Sequence, residues 1–301
     1  MQADGPAGVA TCKLHQPHQC GYRKGMVPIR LPCGFDLVRE QDVVIAVRSD
    51  WHGALEEAGV LTADAARVER VAGVQRLGGR GSVFCVPIGD RGRVVVRCAR
   101  RGGIAGRFLG DRYWGARRAF AELEISEAMR AEALPVPETL GVVAQRCFGP
   151  FWRFAIITRE ITDVIDLASF LRVAPARGAR LAALDATAQS IRRMHELRFL
   201  HADLQARNIL VRVAAERVDV HLVDLDRARQ ARAVSERERE RNLFRLHRST
   251  VKLALQSITA ADRLRFVRAY FGGLPQREVL RALARRCQRH VRWHQWLWKW
   301  F

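Results

Sequence analysis

The run His201-Ala202-Asp203-Leu204-Gln205-Ala206-Arg207-Asn208-Ile209-Leu210, followed by Val223-Asp224-Leu225-Asp226, constrains this chain more than any other stretch. Three polar groups stand there at the spacing that phosphoryl transfer demands. Asp203 can accept a proton from an attacking hydroxyl, while Asn208 and Asp224 can hold Mg²⁺ on the phosphates of a nucleotide. They work together only if a polar loop and the end of a following strand face one cleft. Asn208 and Asp224 offer hard oxygen donors, which suit Mg²⁺ better than sulfur or imidazole would. Leu222-Val223 puts Asp224 at a strand end. Asp226 could be a second ligand, but reads better as the salt-bridge partner of neighbouring Arg227 or Arg229. His201 reads as a prop for the loop.

Apolar patterning gives the frame around that run. Residues 1–26 show no apolar period and read as a flexible tail. Cys12, His15, His18 and Cys20 within it have zinc-like residue types, but the cluster is short and no second half-site follows. Val43–Val47 reads as a strand, and Glu56 to Val74 as helix broken near Gly59 and Asp64. A strand, a Gly-rich turn and a strand follow across Leu77–Val86, then a turn at Gly89–Gly92 and a strand over Arg93–Arg97. Ala116–Ala131 has helical periodicity and stops at Leu134-Pro135-Val136-Pro137. Strands fit Leu140–Gln145 and Phe151–Ile157. Beyond residue 160 the pattern turns helical: Leu167–Val173, Leu181–Leu197, and about 236–256, 260–271 and 275–290, with a strand pair at Asn208–Val213 and Val218–Val223. A strand-rich half followed by a helical half predicts an α+β fold of two lobes, the smaller spanning 27–160 and the helical one 161–290.

Within the first half, Gly78, Gly79 and Gly81, with Ser82, would let the backbone approach phosphates that side chains would block. The next apolar strand ends in Arg97. No lysine lies between Lys24 and Lys252, so Arg97 must supply any cation on this strand that reaches the phosphates. Arginine can clamp phosphate oxygens bidentately, with a geometry that differs from that of lysine. Glu122, on the 116–131 helix, is its expected ion-pair partner, and Glu124 a less fitting register.

The formal charge is +20 with only four lysines, so arginine carries the excess. A chain this basic is expected to meet an anionic partner. From Arg281 onward there are six basic residues and no acidic one, with Trp293, Trp296, Trp298, Trp300 and Phe301 crowded at the end. The stretch 291–301 reads as a basic, Trp-rich tail, suited to an anionic membrane surface or to packing back on the helical lobe. No motif supports nucleic-acid binding. Seven scattered cysteines suggest reduced thiols, and no apolar run approaches the roughly 20 residues of a membrane span. The N-terminus lacks an apolar segment of the secretory kind.

These residues resemble the lipopolysaccharide kinase family, and within it the branch of 3-deoxy-D-manno-octulosonic acid (Kdo) kinases. The likeness extends beyond the catalytic loop to Gly79-Arg80-Gly81-Ser82, Val96-Arg97-Cys98-Ala99-Arg100-Arg101-Gly102-Gly103, Asp111-Arg112-Tyr113, Arg118-Ala119-Phe120-Ala121-Glu122, Thr158-Arg159-Glu160-Ile161 and Asn242-Leu243-Phe244-Arg245-Leu246-His247-Arg248-Ser249. It covers roughly residues 75–255 and includes an arginine where other kinases carry lysine. The resemblance implies a protein-kinase-like fold and Mg²⁺-dependent transfer of the ATP γ-phosphoryl group to a sugar hydroxyl of Kdo on lipid A. It also implies that Arg159-Glu160-Ile161 form the hinge that meets adenine through backbone groups. Together with the basic surface, such an acceptor leads to the expectation that the chain works peripherally on the cytoplasmic side of the inner membrane. Two alternatives share the loop: an aminoglycoside- or choline-type phosphotransferase, and a pseudokinase that scaffolds at the membrane.

Overall fold

A computed structural model describes residues 31–78, 82–99, 112–214, 217–253 and 258–276, with isolated positions as far as 285. Eight antiparallel strands form the first half: β1 (Phe35–Glu40), β2 (Val43–Arg48), β3 (Gln75–Leu77), β4 (Ser82–Pro87), β5 (Arg93–Cys98), β6 (Tyr113–Trp114), β7 (Thr139–Phe148) and β8 (Phe151–Arg159). Their spatial order is β1-β2-β7-β8-β5-β4-β3, with β6 added beside β8. Alternation decides which face each side chain takes. Val94, Val96 and Cys98 of β5 point to one side, with Phe84, Val86, Leu140 and Ile157. That side is covered by helices α1 (His52–Glu57) and α2 (Ala65–Val68), through Trp51, Leu55 and Val68. Arg97, lying between Val96 and Cys98, belongs to the opposite face.

That opposite face meets α3 (Arg117–Ala131), whose Ala119, Phe120 and Leu123 pack on Val44, Ala46, Val142, Phe154 and Ile156. One turn further on, Ile125 and Met129 of the same helix belong to a second core. That core joins α4 (Leu167–Arg172), α5 (Arg177–Glu196) and α6 (Glu236–Lys252) to the strands β11 (Ile209–Ala214) and β12 (Arg217–Leu222). Buried Tyr270 adds α7 (Ala260–Phe271) to it. β9 (Ile165–Asp166) extends the β11–β12 pair, and β10 (Phe199–Leu200) pairs with β13 (Arg229–Gln230). An α+β chain with an antiparallel sheet first and helices later is therefore what forms. α3 belongs to both cores, which sets the sheet and the helical portion in one frame.

Two expectations need correction. The helix expected over Glu56–Val74 is only α1 and α2, because Gly59 turns left-handed at φ +66° and Asp64 ends the break by capping Ala66. After α2 the chain goes directly into β3. β1 was not anticipated at all; its outward residues are polar, and it holds its register only by pairing with β2. The 236–256 helix ends at Lys252. The helix expected over 275–290 lies mostly outside the described residues, as do the 1–26 and 291–301 tails and the Cys12–Cys20 cluster.

Candidate active site

The loop after β10 is built by its own side chains. His201 is fully buried and its Nε2–H donates to the carbonyl of Val223 at 3.0 Å, so Nδ1 is left as an acceptor. It receives the N–H of Asp203 at 3.2 Å. One imidazole thus ties the loop to the residue before Asp224. Burial pushes the ring below its usual range, against the opposing pull of the Val223 carbonyl and of Asp224 and Asp203. The neutral ring is the only form that fits, since a second N–H would face the Asp203 amide.

Asp203 is exposed, and its Oδ2 accepts from Gln205 Nε2 at 2.8 Å. Asn208 is buried; its Nδ2 donates to the Asp203 carbonyl at 2.9 Å and lies 3.5 Å from Asp203 Oδ2. With the amide held that way, Oδ1 has no protein donor among the described residues. The Asn208 carbonyl accepts the N–H of Val223 at 3.0 Å, a second tie to the Asp224 segment. Asp224 itself sits just past β12 at φ +61°, a left-handed conformation that aspartate tolerates better than most residues. Its Oδ1 lies 3.4 Å from Arg97 Nη1.

Arg97 reaches Asp224 from β5 and hydrogen-bonds Glu122 of α3, as the sequence suggested; Glu124 is exposed. Burial weakens the Arg97 proton, but Glu122, Asp224 and Asp226 outweigh it and hold the guanidinium firmly charged. The same burial raises the Glu122 carboxyl above the ordinary range, although Arg97 opposes it. Asp226 is in a salt bridge as expected, but not with Arg227 or Arg229. It accepts from Arg118 Nε at 2.6 Å, and Arg229 instead pairs with Glu238. Arg118 lies on α3, so this pair also spans the junction between sheet and helices.

The remaining expected residues are spread along the sheet. Gly78 is exposed at the end of β3 and Ser82 is buried at the start of β4, while Gly79 and Gly81 lie outside the described residues. Glu160 follows β8 at the far end of the pairing with β5. Its N–H donates to the Arg93 carbonyl at 3.1 Å, so that amide is committed to the sheet. Its carboxylate accepts from the thiol of buried Cys85 at 3.0 Å and pairs with Arg93. Burial pushes the Cys85 thiol up.

Sequence reasoning missed the support beneath the loop. Asn242 of α6 accepts the N–H of His201 and Nε2–H of His195 through one oxygen, at 3.2 Å each. Nδ1 of His195 then accepts a hydrogen bond from the Tyr270 hydroxyl at 2.8 Å. Two turns along α6, Ser249 Oγ accepts the N–H of Ala206 at 2.9 Å. The signal was present in Asn242–Ser249, which resembles the family pattern, but nothing local assigns it a partner.

The chemistry of these donors would suit a divalent ion. Mg²⁺ takes one or two protein oxygens and completes its shell with phosphates and water. Asn208 Oδ1 and the Asp224 carboxylate are the two oxygens that would hold it, and among the described residues no cluster of three or more His, Cys, Asp or Glu side chains offers a closed metal cage.

Residues 66–270 match the lipopolysaccharide kinase (Kdo/WaaP) family. A protein of Xanthomonas euvesicatoria pv. vesicatoria called 3-deoxy-D-manno-octulosonic acid kinase is 39% identical over 180 residues, covering 58% of this chain and 68% of the relative. One of the same name from Stenotrophomonas maltophilia is 38% identical over 180 residues, with the same coverage. A solved structure, WaaP in complex with acyl carrier protein, superposes with a TM-score of 0.54 at 21% identity, covering 81% of this chain and 94% of that one. The chain belongs to the lipopolysaccharide kinase (Kdo/WaaP) family.

Proposed function

We propose that the chain transfers the γ-phosphoryl group of ATP to a hydroxyl of Kdo on a lipid A-type glycolipid, in lipopolysaccharide core biosynthesis. The observation that carries this is the linkage of Asp203, Asn208 and Asp224 through His201 and Val223, in a chain 39% identical to a Kdo kinase. Asp203 stands exposed at the loop, where it would orient the acceptor hydroxyl and take its proton. Asn208 and Asp224 would hold Mg²⁺, which when bound neutralises charge on the phosphate oxygens. Arg97, kept charged by Glu122, would clamp the non-transferred phosphates. The Gly78–Ser82 turn would cover them, and the backbone beside Glu160 would meet the base through its carbonyl side. Exposed Arg207 and Arg245 flank the loop, so an acid-bearing sugar would approach Asp203 through favourable charge. A lipid-linked acceptor would put the chain to work peripherally, on the cytoplasmic face of the inner membrane. Among the described residues no helix is long and apolar enough to cross it.

Incubation with Mg·ATP and Kdo-lipid A, read by mass spectrometry of the lipid, tests the proposal. The expected product is one phosphate heavier on the sugar. Asp203→Ala should bind ATP normally and lower turnover by on the order of 10²–10⁴-fold, the usual contribution of a general base. A preparation that binds ATP but leaves the glycolipid unmodified overturns the acceptor assignment.

A further inference from the structure

At the end of the sheet farthest from Glu160, the chain displays aromatic rings to solvent. Trp114 of β6 is 75% exposed and Phe148, at the tip of the β7–β8 hairpin, is 54% exposed. Both meet Phe151, Trp114 edge-on at 5.9 Å and Phe148 at 5.1 Å between centroids, so they form one patch. The segments that carry it are rich in arginine. The segments 112–118 and 146–153 contain Arg112, Arg117, Arg118, Arg146 and Arg153 and no acidic residue. Arg112 lies over Phe148 at 5.0 Å and Arg146 over Trp152 at 5.1 Å, and the Arg146 guanidinium lies 3.9 Å from the Asp42 carboxylate.

Exposed rings in one patch are unfavourable in water unless something covers them. Trp at the headgroup level with arginines reaching phosphates is the composition of a membrane interface, and each basic group there favours an anionic leaflet. The strand register gives the tip a direction. Arg97 pairs with Ile156, and Phe151 lies five residues back along β8, or about 17 Å at the rise of a strand. Trp114 is four residues before Arg118, which bonds Asp226 beside the metal-holding segment. A bilayer touching the tip would therefore lie about 17 Å along β8 from the level of Arg97.

We infer that Trp114, Phe148 and Phe151, with the arginines around them, form a membrane-docking tip that seats among anionic lipid headgroups and turns the active site toward a lipid-borne acceptor. This rests on the lipid-linked acceptor proposed above.

Sedimentation of the full chain with vesicles of phosphatidylethanolamine and phosphatidylglycerol, without nucleotide or acceptor, tests the inference. Trp114→Ser combined with Phe148→Ser should lower the vesicle-bound fraction about tenfold in partition coefficient, with an unchanged thermal midpoint. Trp114→Phe alone should retain binding. Arg117→Gln should weaken binding to phosphatidylglycerol vesicles and leave binding to phosphatidylcholine vesicles unaltered. Undiminished vesicle binding by the double variant overturns the inference. So does a double variant whose change is lost self-association in lipid-free sedimentation, which would mark the patch as a surface between copies. Because no turnover is read, a chain that docks through the tip but phosphorylates nothing overturns only the functional reading.

Discussion

Arg97 serves two carboxylates, Glu122 on α3 and Asp224 beyond β12, from a strand position whose neighbours face the other way. A guanidinium fork can hold both while presenting an edge to a phosphate; an ammonium is a single point charge that must choose. Arg97→Lys should therefore keep the fold but lower kcat/KM for ATP by about tenfold to a hundredfold, with KM for the glycolipid little changed. Steady-state kinetics with each substrate varied in turn checks this, and wild-type ATP kinetics in the lysine variant would refute the two-carboxylate role. The Arg97–Glu122 pairing was legible because a strand-end cation and a helical acid 25 residues on form a pattern. The partner of Asp226 was not. Arg227 and Arg229 are near in sequence, but a left-handed turn at Arg227 (φ +59°) and the pairing of Arg229 with Glu238 leave Asp226 to Arg118, 108 residues away. Local spacing carries no information about such a contact.

At the scale of elements, α6 is the piece that holds the candidate catalytic loop. It grips at both ends, with Asn242 on the His201 amide and Ser249 on the Ala206 amide. Its capping box at Ser235 and Glu238 fixes where the helix starts and hence which residues face the loop. Asn242 does double duty, since the same oxygen holds His195, which is buried against Tyr270 of α7. Asn242→Ala would leave the His201 N–H and the His195 Nε2–H unpaired inside the protein. It should cost about 2–6 kcal/mol of stability in urea unfolding, at about 1–3 kcal/mol for each orphaned donor. Turnover should fall while ATP binding persists, because the loop loses its support and β5 does not. The element boundaries themselves were mostly readable: α3, β5, β8 and the β11–β12 pair fall within a few residues of the apolar periodicity. β1 and the 56–74 stretch were not, since one is a polar edge strand defined by its partner and the other is two short helices separated by a glycine turn.

Over the whole molecule, acid acts on stability through two routes with the same sign. The formal charge of +20 grows as pH falls, which strengthens self-repulsion in the compact state. Separately, burial draws His195 down to about 4, and holds His201, His221 and His247 below their usual range. A histidine depressed in the folded state takes up its proton first in the unfolded chain. Between its unfolded value near 6.5 and its folded value, the unfolded state thus binds more protons and stability rises with pH. The contribution is complete above about pH 6.5 and is lost as pH falls toward 4; for His195 alone it amounts to about 3 kcal/mol. Urea midpoints measured from about pH 7.5 down to 4.5 should fall steadily. Salt separates the routes: it screens surface repulsion and should restore that part, but it should not restore the loss from buried imidazoles. His195→Gln, which keeps a neutral polar side chain in the pocket, should lower stability near neutrality yet flatten the acid slope. An unchanged slope in that variant at high salt, where surface repulsion is screened, would take the acid sensitivity away from His195 and leave it to the other depressed histidines, His201, His221 and His247.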